Sequence, residues 1–254
     1  MLIPFELLHP LGRFIEKRLM AGSKRVLVIN GGLREYAIKI GANSANVFVL
    51  TAGIDSSRFN SSIDPMPVRE KYGFSKNDRI LFFMGWLYEF SGLREIIVRY
   101  SEMKSDVPNL KILIVGEGEN YGQLKNLVNM NGLSDKIILT GWRPYDEIPG
   151  LIASSDLCLL PSRQHKIMND VVPIKMFEYL AMGKPVISTK LPGILKEFGD
   201  NNGVLYCDSP EDALNVALRL NENEIEQNKA KALSFIKDYE WEEIVTRFEK
   251  ILML

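Results

Sequence analysis

The sequence predicts an α/β fold with a doubly wound parallel sheet, preceded by a short piece of a second domain. Two observations carry this. From residue 68 onward, runs such as Arg79–Met84, Leu110–Val115 and Leu157–Leu160 are short and almost wholly apolar, as strands buried on both faces are. Each is followed by a stretch with helical spacing, so strand and helix alternate. A third observation divides the chain. Ser56, Ser57, Asn60, Ser61, Ser62, Pro65 and Pro67 crowd residues 56–67 with turn formers, which marks a linker. The expected parts are 1–60, 61–239 and a C-terminal helix at 240–254.

In chain order, residues 14–19 look helical. Residues 25–29 read as a strand, broken by Asn30, Gly31 and Gly32. A short helix follows over 33–40, stopped by Gly41, and a second strand over 46–50. After the linker, 68–72 reads as a lead-in helix. Strands are expected at Arg79–Met84, Leu110–Val115, 136–139, Leu157–Leu160, Val186–Thr189 and 204–206. Helices are expected at 92–103, Tyr121–Met130 and 146–154, after the acidic start at 209–212, and at 222–239 and 241–252. One more helix is the most legible element. Pro173 suits its first position, Gly183 can supply the left-handed residue that ends it, and Pro185 prevents its restart. Ile174, Phe177 and Ala181 share one face. Lys175, Glu178 and Met182 share another, expected to be exposed. A helix N-terminus with Lys and Glu on such a face suits an anionic ligand that also carries hydroxyls.

The totals exclude several classes. The chain has 254 residues, 46% hydrophobic and 25% charged, ordinary for a globular protein with a sizeable core. A net charge of -1 argues against a nucleic-acid-binding surface. Cys158 and Cys207 lie in apolar contexts, read as buried free thiols, and have no metal-ligand spacing. With only His9 and His165, no Ser/His/Asp arrangement is credible, and no His/Cys/carboxylate cluster suggests a metal. No apolar run reaches the length of a membrane span. The opening M-L-I-P-F-E-L-L-H-P is a poor signal peptide, so a cytoplasmic location is expected.

Open parallel sheets bind ligands beyond the carboxyl ends of their strands. Function is therefore expected in the loops 85–91, 116–120, 141–145 and 161–170 and at the Pro173 helix. Gly85 and Gly92 flank the first loop, and Gly116-Glu117-Gly118 forms the second. Glycines there let backbone approach a ligand closely, although a lone G-x-G fits a tight turn equally well. The full G-x-G-x-x-G with a downstream acid is missing, which argues against a dinucleotide site, and so is a P-loop.

These residues carry a resemblance. G-W-L-Y-E-F-S-G-L-R-E, I-L-I-V-G-E-G, I-I-L-T-G-W, S-D-L-C-L-L-P-S and P-I-K-M-F-E-Y-L-A-M-G-K-P-V-I-S stand in the order and spacing of one family. The sequence resembles the family 4 retaining glycosyltransferases, which have the GT-B fold, from about residue 28 to 241. T-A-G-I-D-S-S-R-F resembles the family's crossing from its acceptor half to its nucleotide-sugar half. The resemblance implies a Rossmann-like donor domain, a remnant of the acceptor-side domain at 1–60 and a C-terminal return helix. It implies a nucleoside diphosphate sugar as substrate, a glycan or lipid-linked acceptor, no cofactor and no metal.

Two glutamates separated by seven residues characterise that family. The second falls on Glu178, which the resemblance makes the ribose ligand; a surface pair with Lys175 is the competing reading. The first falls on Asp170, which keeps a carboxylate on a shorter arm. It is a candidate catalytic contact to the transferred sugar, or simply a helix N-terminal acid. Trp142 and Arg143 sit where the family contacts the base, and Trp142 fits a core or lid role as well. The family's Arg and Lys of the first loop are replaced by Trp86 and Ser91. Charge on the leaving diphosphate is then expected to be met in part by the N–H groups of Ile174 and Lys175 behind Pro173, and for the rest by a cation among Lys175, Arg94, Arg163 and Lys166, each of which taken singly fits a solvated surface charge better. Lys175 is the second catalytic candidate. Gly85, Gly116 and Gly118 complete the expected donor site.

Most of the acceptor domain is missing from the pattern. Transfer is therefore expected in a cleft completed by another chain or a second copy. A truncated, non-catalytic nucleotide-sugar-binding domain is the alternative. The return helix is expected to find little to pack against. Its apolar residues, and Leu2, Ile3, Phe5, Leu7 and Leu8, are expected to seek a partner, with peripheral association at the inner membrane face as one outcome.

Overall fold

The structure, a computed structural model, describes residues 5–165 and 168–253, with side chains of the first helix from Pro10 onward. The chain forms two compact units, 1–53 with 241–254, and 54–240. Leu2, Ile3, Lys166 and the side chains of Phe5, Leu7 and Leu8 lie outside what is described.

The smaller unit holds helix α1 (Phe5–Gly22), strand β1 (Val26–Val28), helix α2 (Gly31–Lys39) and strand β2 (Val47–Val49). The strands pair in parallel, Val26 opposite Val47. Asn30 does more than break β1. Its side chain accepts the Leu33 N–H at 2.8 Å and caps α2. Val26, Ala37, Ala42 and Val47 form the small core, with Met20, Val28 and Ile38 against it.

The larger unit opens with helix α3 (Met66–Lys71). Then come strand β3 (Arg79–Met84), helix α4 (Leu93–Met103), strand β4 (Leu110–Val115), helix α5 (Tyr121–Met130) and strand β5 (Ile137–Leu139). Helix α6 (Ile148–Ala153), strand β6 (Leu157–Leu160), helix α7 (Ile174–Ala181), strand β7 (Val186–Thr189), helix α8 (Pro192–Phe198) and strand β8 (Val204–Cys207) follow. Helices α9 (Asp212–Arg219) and α10 (Glu222–Phe235) complete it. Helix α8 is unforeseen; Pro192 occupies its first turn, where a missing N–H costs nothing.

All six strands are parallel, in the order β5-β4-β3-β6-β7-β8. Succession runs outward from β3 to β5, then returns to β6 and runs the other way. The order reverses between β3 and β6, which is where a crevice opens at the carboxyl ends of such sheets. Apolar residues of β3, β4 and β6 meet those of α4, α5 and α9 in one core, including Phe83, Leu93, Ile97, Ile114 and Leu159. Cys158 and Cys207 are buried free thiols, as expected.

Helix α11 (Trp241–Met253) belongs to the smaller unit. Contrary to expectation it is not bare: Ile244 and Ile251 are buried, while Trp241, Val245, Leu252 and Met253 are exposed.

A partly buried ion pair ties α3 to the amino end of β6. Arg69 Nη2 meets both Asp156 oxygens at 3.1 and 3.0 Å, and its Nε donates to Ser154 O at 2.9 Å. Asp156 Oδ2 also accepts the Ile80 N–H at 2.7 Å. Lysine keeps the charge but not the fork. Arg69→Lys is therefore expected to cost about 2 kcal/mol, a fall in Tm of roughly 4–8 °C by calorimetry. An unchanged Tm would show that the fork contributes nothing.

Candidate functional site

The carboxyl ends of β3, β4 and β5 are stitched together by backbone. Gly85 N–H donates to Val115 O at 2.9 Å, Gly116 N–H to Gly141 O at 3.0 Å and Leu87 N–H to Glu117 O at 2.8 Å. The glycines have a reason the sequence does not show. A Cβ on Gly116 (φ 136°) would overlap the Gly85 carbonyl, and one on Gly118 (φ 154°) the backbone of Leu87. The close approach these two permit is loop to loop. A Cβ on Gly85 (φ 134°) would instead meet the ammonium of Lys175.

Helix α7 sits over the end of β3. Tyr179 accepts the Met84 N–H on its hydroxyl at 2.9 Å, and Lys175 Nζ donates to Met84 O at 2.6 Å. The ammonium also lies 4.6 Å from the centre of the Phe83 ring. This corrects the expected faces. Ile174 is exposed, whereas Lys175 is partly buried and Glu178 is 5% exposed. Amphipathic spacing marked Ile174 as core, but the anchor on Met84 turns the Lys–Glu face inward. Pro173 also shifts by one place: it precedes α7 in extended backbone, and Ile174 is the first helical residue. The helix ends as foreseen. Gly183 has φ 66°, its N–H reaches Leu180 O, and Lys184 N–H reaches Tyr179 O.

A cavity of about 380 Å³ opens at these strand ends. Gly85, Gly116, Trp142, Arg143 and Lys175 line it together, with Trp86, Glu117 and Tyr145 beside them. Five expected site residues thus converge. Glu178 adjoins through Tyr145, whose hydroxyl donates to Glu178 Oε1 at 2.7 Å. Gly118, Pro173, Ile174 and Asp170 do not line the cavity; Asp170 is exposed on the turn before α7. Tyr145 and Glu117 are additions. A Tyr following Trp142-Arg143-Pro144 in a loop already marked for ligands was the available signal.

Burial sets the electrostatics. It lowers the Lys175 pKa to about 8, with Glu178 pulling it back up. It raises that of Glu178, opposed by the Tyr145 hydrogen bond and by Lys175. Burial and Glu178 push Tyr145 up to about 12. Arg143, a residue of the cavity wall, has its Nε buried without a hydrogen-bond partner.

The replaced cation positions are filled differently. Trp86 donates its indole N–H to Glu119 Oε2 at 3.1 Å, and Ser91 is buried. Arg163 is bound to Glu95 at 3.3 Å and Glu89 at 3.5 Å. With Arg94 it lines a separate cavity of about 440 Å³. Among the described residues, Lys175 faces the central cavity, as does Arg143, the residue expected at the base. A larger groove of about 510 Å³, lined by Arg79, Leu110 and Asp156, lies at the amino ends of the strands. Parallel sheets do not place their ligands there, so the carboxyl-end cavity is the candidate site.

Residues 67–252 match the family described as glycosyl transferases group 1. The chain belongs to this family. Among relatives of this glycosyl transferases group 1 member, an uncharacterized glycosyltransferase MJ1069 of Methanocaldococcus jannaschii is 26% identical over 93% of the chain and 60% of its own length. The N-acetyl-alpha-D-glucosaminyl L-malate synthase of Bacillus anthracis is 24% identical over 74% of the chain and 49% of its own length. The chain thus spans about half to three fifths of these relatives. Anabaena Alr3699/HepE, solved with UDP and glucose, superposes with a TM-score of 0.78 at 18% identity over 95% of the chain and 66% of its own. WaaG, a glycosyltransferase involved in lipopolysaccharide biosynthesis, gives 0.72 at 17% identity over 100% of the chain and 72% of its own. These likenesses establish the fold. Among the described residues, no helix is long and apolar enough to cross a membrane, and no three of His, Cys, Asp and Glu gather as metal ligands.

Proposed function

We propose that this glycosyl transferases group 1 chain is the nucleotide-sugar-binding part of a retaining family 4 glycosyltransferase. The observation that carries the reading is the convergence of Lys175, Arg143 and Tyr145 on one cavity at the carboxyl ends of β3, β4 and β5, with Glu178 bonded to Tyr145 behind it. Glu178 takes the ribose hydroxyls. Lys175 and the amino end of α7 meet the diphosphate. Trp142 and Arg143 meet the base, and Asp170 is the candidate contact to the transferred sugar. The bond from the anomeric carbon to the diphosphate oxygen breaks, the acceptor hydroxyl bonds to that carbon from the same face, and its proton passes to a donor phosphate oxygen. No cofactor or metal takes part. The acceptor is a glycan or a lipid-linked molecule, and a separate acceptor-domain chain or a second copy completes the cleft. The chain works on the cytoplasmic side, free or at the inner membrane face. Support comes from HepE, whose structures hold UDP and UDP-glucose, and from relatives named for glycosyl transfer.

Calorimetric titration with UDP- and GDP-sugars tests this. Binding is expected, weakened about thirtyfold or more in Glu178→Ala through loss of charge-assisted hydrogen bonds. Normal binding by that variant removes the central claim. A second reading, a nucleotide-sugar-binding domain without catalysis, is favoured by Trp86 and Ser91 where cations are expected and by Arg94 and Arg163 lining a different cavity. Turnover of donor by the purified chain with an acceptor extract decides against it.

A further inference from the structure

We propose that Tyr145 is a positioning residue for Glu178: its hydroxyl holds one carboxylate oxygen and turns the other toward the donor's ribose. The inference rests on the reading of Glu178 as the ribose ligand. Three observations carry it. First, Glu178 is 5% exposed on α7, and its hydrogen bond to Tyr145 comes from a different element, the loop after β5. A carboxylate so buried takes its orientation from whichever donors reach it. Second, the phenol is itself held. The Arg58 guanidinium lies 4.9 Å from the Tyr145 ring centre, and the Phe59 ring 5.7 Å away at a tilt of 56°. Phe59 is 1% exposed, so this support is part of the core. Third, Arg58 is fixed in turn by Asp146, the neighbour of Tyr145, at 2.6 Å. Phe59 and Arg58 therefore back the half-exposed Tyr145 ring, Phe59 from the core and Arg58 from the surface, and the ring presents its hydroxyl to one side of Glu178. Tyr145 also lines the cavity, so the side chain that binds Glu178 is one that a ligand in the cavity meets.

The charged and titratable groups acting here are few. Lys175 faces Glu178 from its own helix, and Tyr145 faces it from the β5 loop. Arg58 and Asp55 act on Tyr145 from the segment behind it. Burial raises the Glu178 pKa, and the Tyr145 hydrogen bond opposes that rise. Removing the hydroxyl lets the pKa climb further. The ligand-binding carboxylate is then lost sooner as pH falls.

The experiment titrates UDP and GDP into the whole chain and into Tyr145→Phe, Glu178→Gln and the double variant at several pH values. Comparing variants cancels the titration of the ligand's own phosphate. Phenylalanine keeps the ring against Phe59 and Arg58, so the fold is expected to survive with Tm lowered by only a few degrees for the one hydrogen bond lost by Glu178. Tyr145→Phe is expected to bind roughly tenfold more weakly, and to lose binding at a higher pH than the wild type as pH falls. The double variant is expected to bind as Glu178→Gln does, because a residue acting through Glu178 adds nothing once Glu178 is neutral. Unchanged or tighter binding by Tyr145→Phe overturns the inference and leaves the donor-site reading intact. So does a loss that adds in full to that of Glu178→Gln. A wild-type chain that binds neither UDP nor GDP overturns the donor-site reading, and the inference with it.

Discussion

Gly116→Ala is expected to destabilise the larger unit by about 4 kcal/mol or more, a fall in Tm of roughly 10 °C, measured by scanning calorimetry. Two causes add. A φ of 136° is costly for any residue with a Cβ. The Cβ would also overlap the carbonyl oxygen of Gly85, which is backbone and has no rotamer to escape into. Gly85 cannot drift away cheaply, because its N–H is bound to Val115 O and the next loop residues are bound through Leu87 N–H to Glu117 O. Relief would break the stitching of β3 to β4 at the cavity floor. Gly122→Ala on α5 is the control. Nothing lies within 4 Å of its Cβ, so the change should be neutral or slightly stabilising. If Gly116→Ala melts with the wild type, the loops are far more pliable than this geometry allows.

That result bears on how far the sequence could be read. Apolar runs such as Leu110–Val115 announce a strand buried on both faces, because a parallel strand has helices above and below it. Alternation with helical stretches then leaves few arrangements, and the six-stranded parallel sheet is one of them. Glycines at strand ends were visible, yet their purpose was not. A one-dimensional pattern cannot say whether the close neighbour is a ligand or the next loop. Helix α7 shows the same limit. Spacing separated Ile174 from Lys175 and Glu178, but which face turned inward depended on Met84, ninety-one positions before Lys175. Tyr145 was missed for a related reason: its value lies in a hydrogen bond to α7 and a ring contact with Phe59, and both are long-range. Helix α8 was missed because a Pro-Gly pair is a turn signal and seven residues carry too little periodicity to outweigh it.

Lys175→Met is expected to separate function from stability. Under the proposed function, Lys175 meets charge developing on the leaving diphosphate, and no cation stands at Trp86 or Ser91 to replace it. Removing a preorganised cation of this kind costs about a hundred- to a thousandfold in turnover. Stability should move the other way. The Lys175 pKa is held down to about 8 by burial, so the folded state disfavours the ammonium that the unfolded chain carries freely. The sign follows: between about pH 8 and 10.5 the unfolded chain binds the proton that the folded chain has lost, so this group makes the wild type more stable as pH rises. Below that window the wild type bears the full cost. Methionine fills a similar volume without the charge, but gives up the bond to Met84 O and the contact with the Phe83 ring. The net gain near pH 7 is about 1 kcal/mol, roughly 2–4 °C. The Tm difference between variant and wild type should shrink as pH rises through the window. A Lys175→Met chain that melts lower at pH 7, with a pH-independent difference, would show the ammonium to be a structural anchor on β3. Retained turnover would remove it from the chemistry. A loss of turnover together with a raised Tm requires a cation kept at this strand end against the preference of the fold, which is what a site built to receive a diphosphate demands.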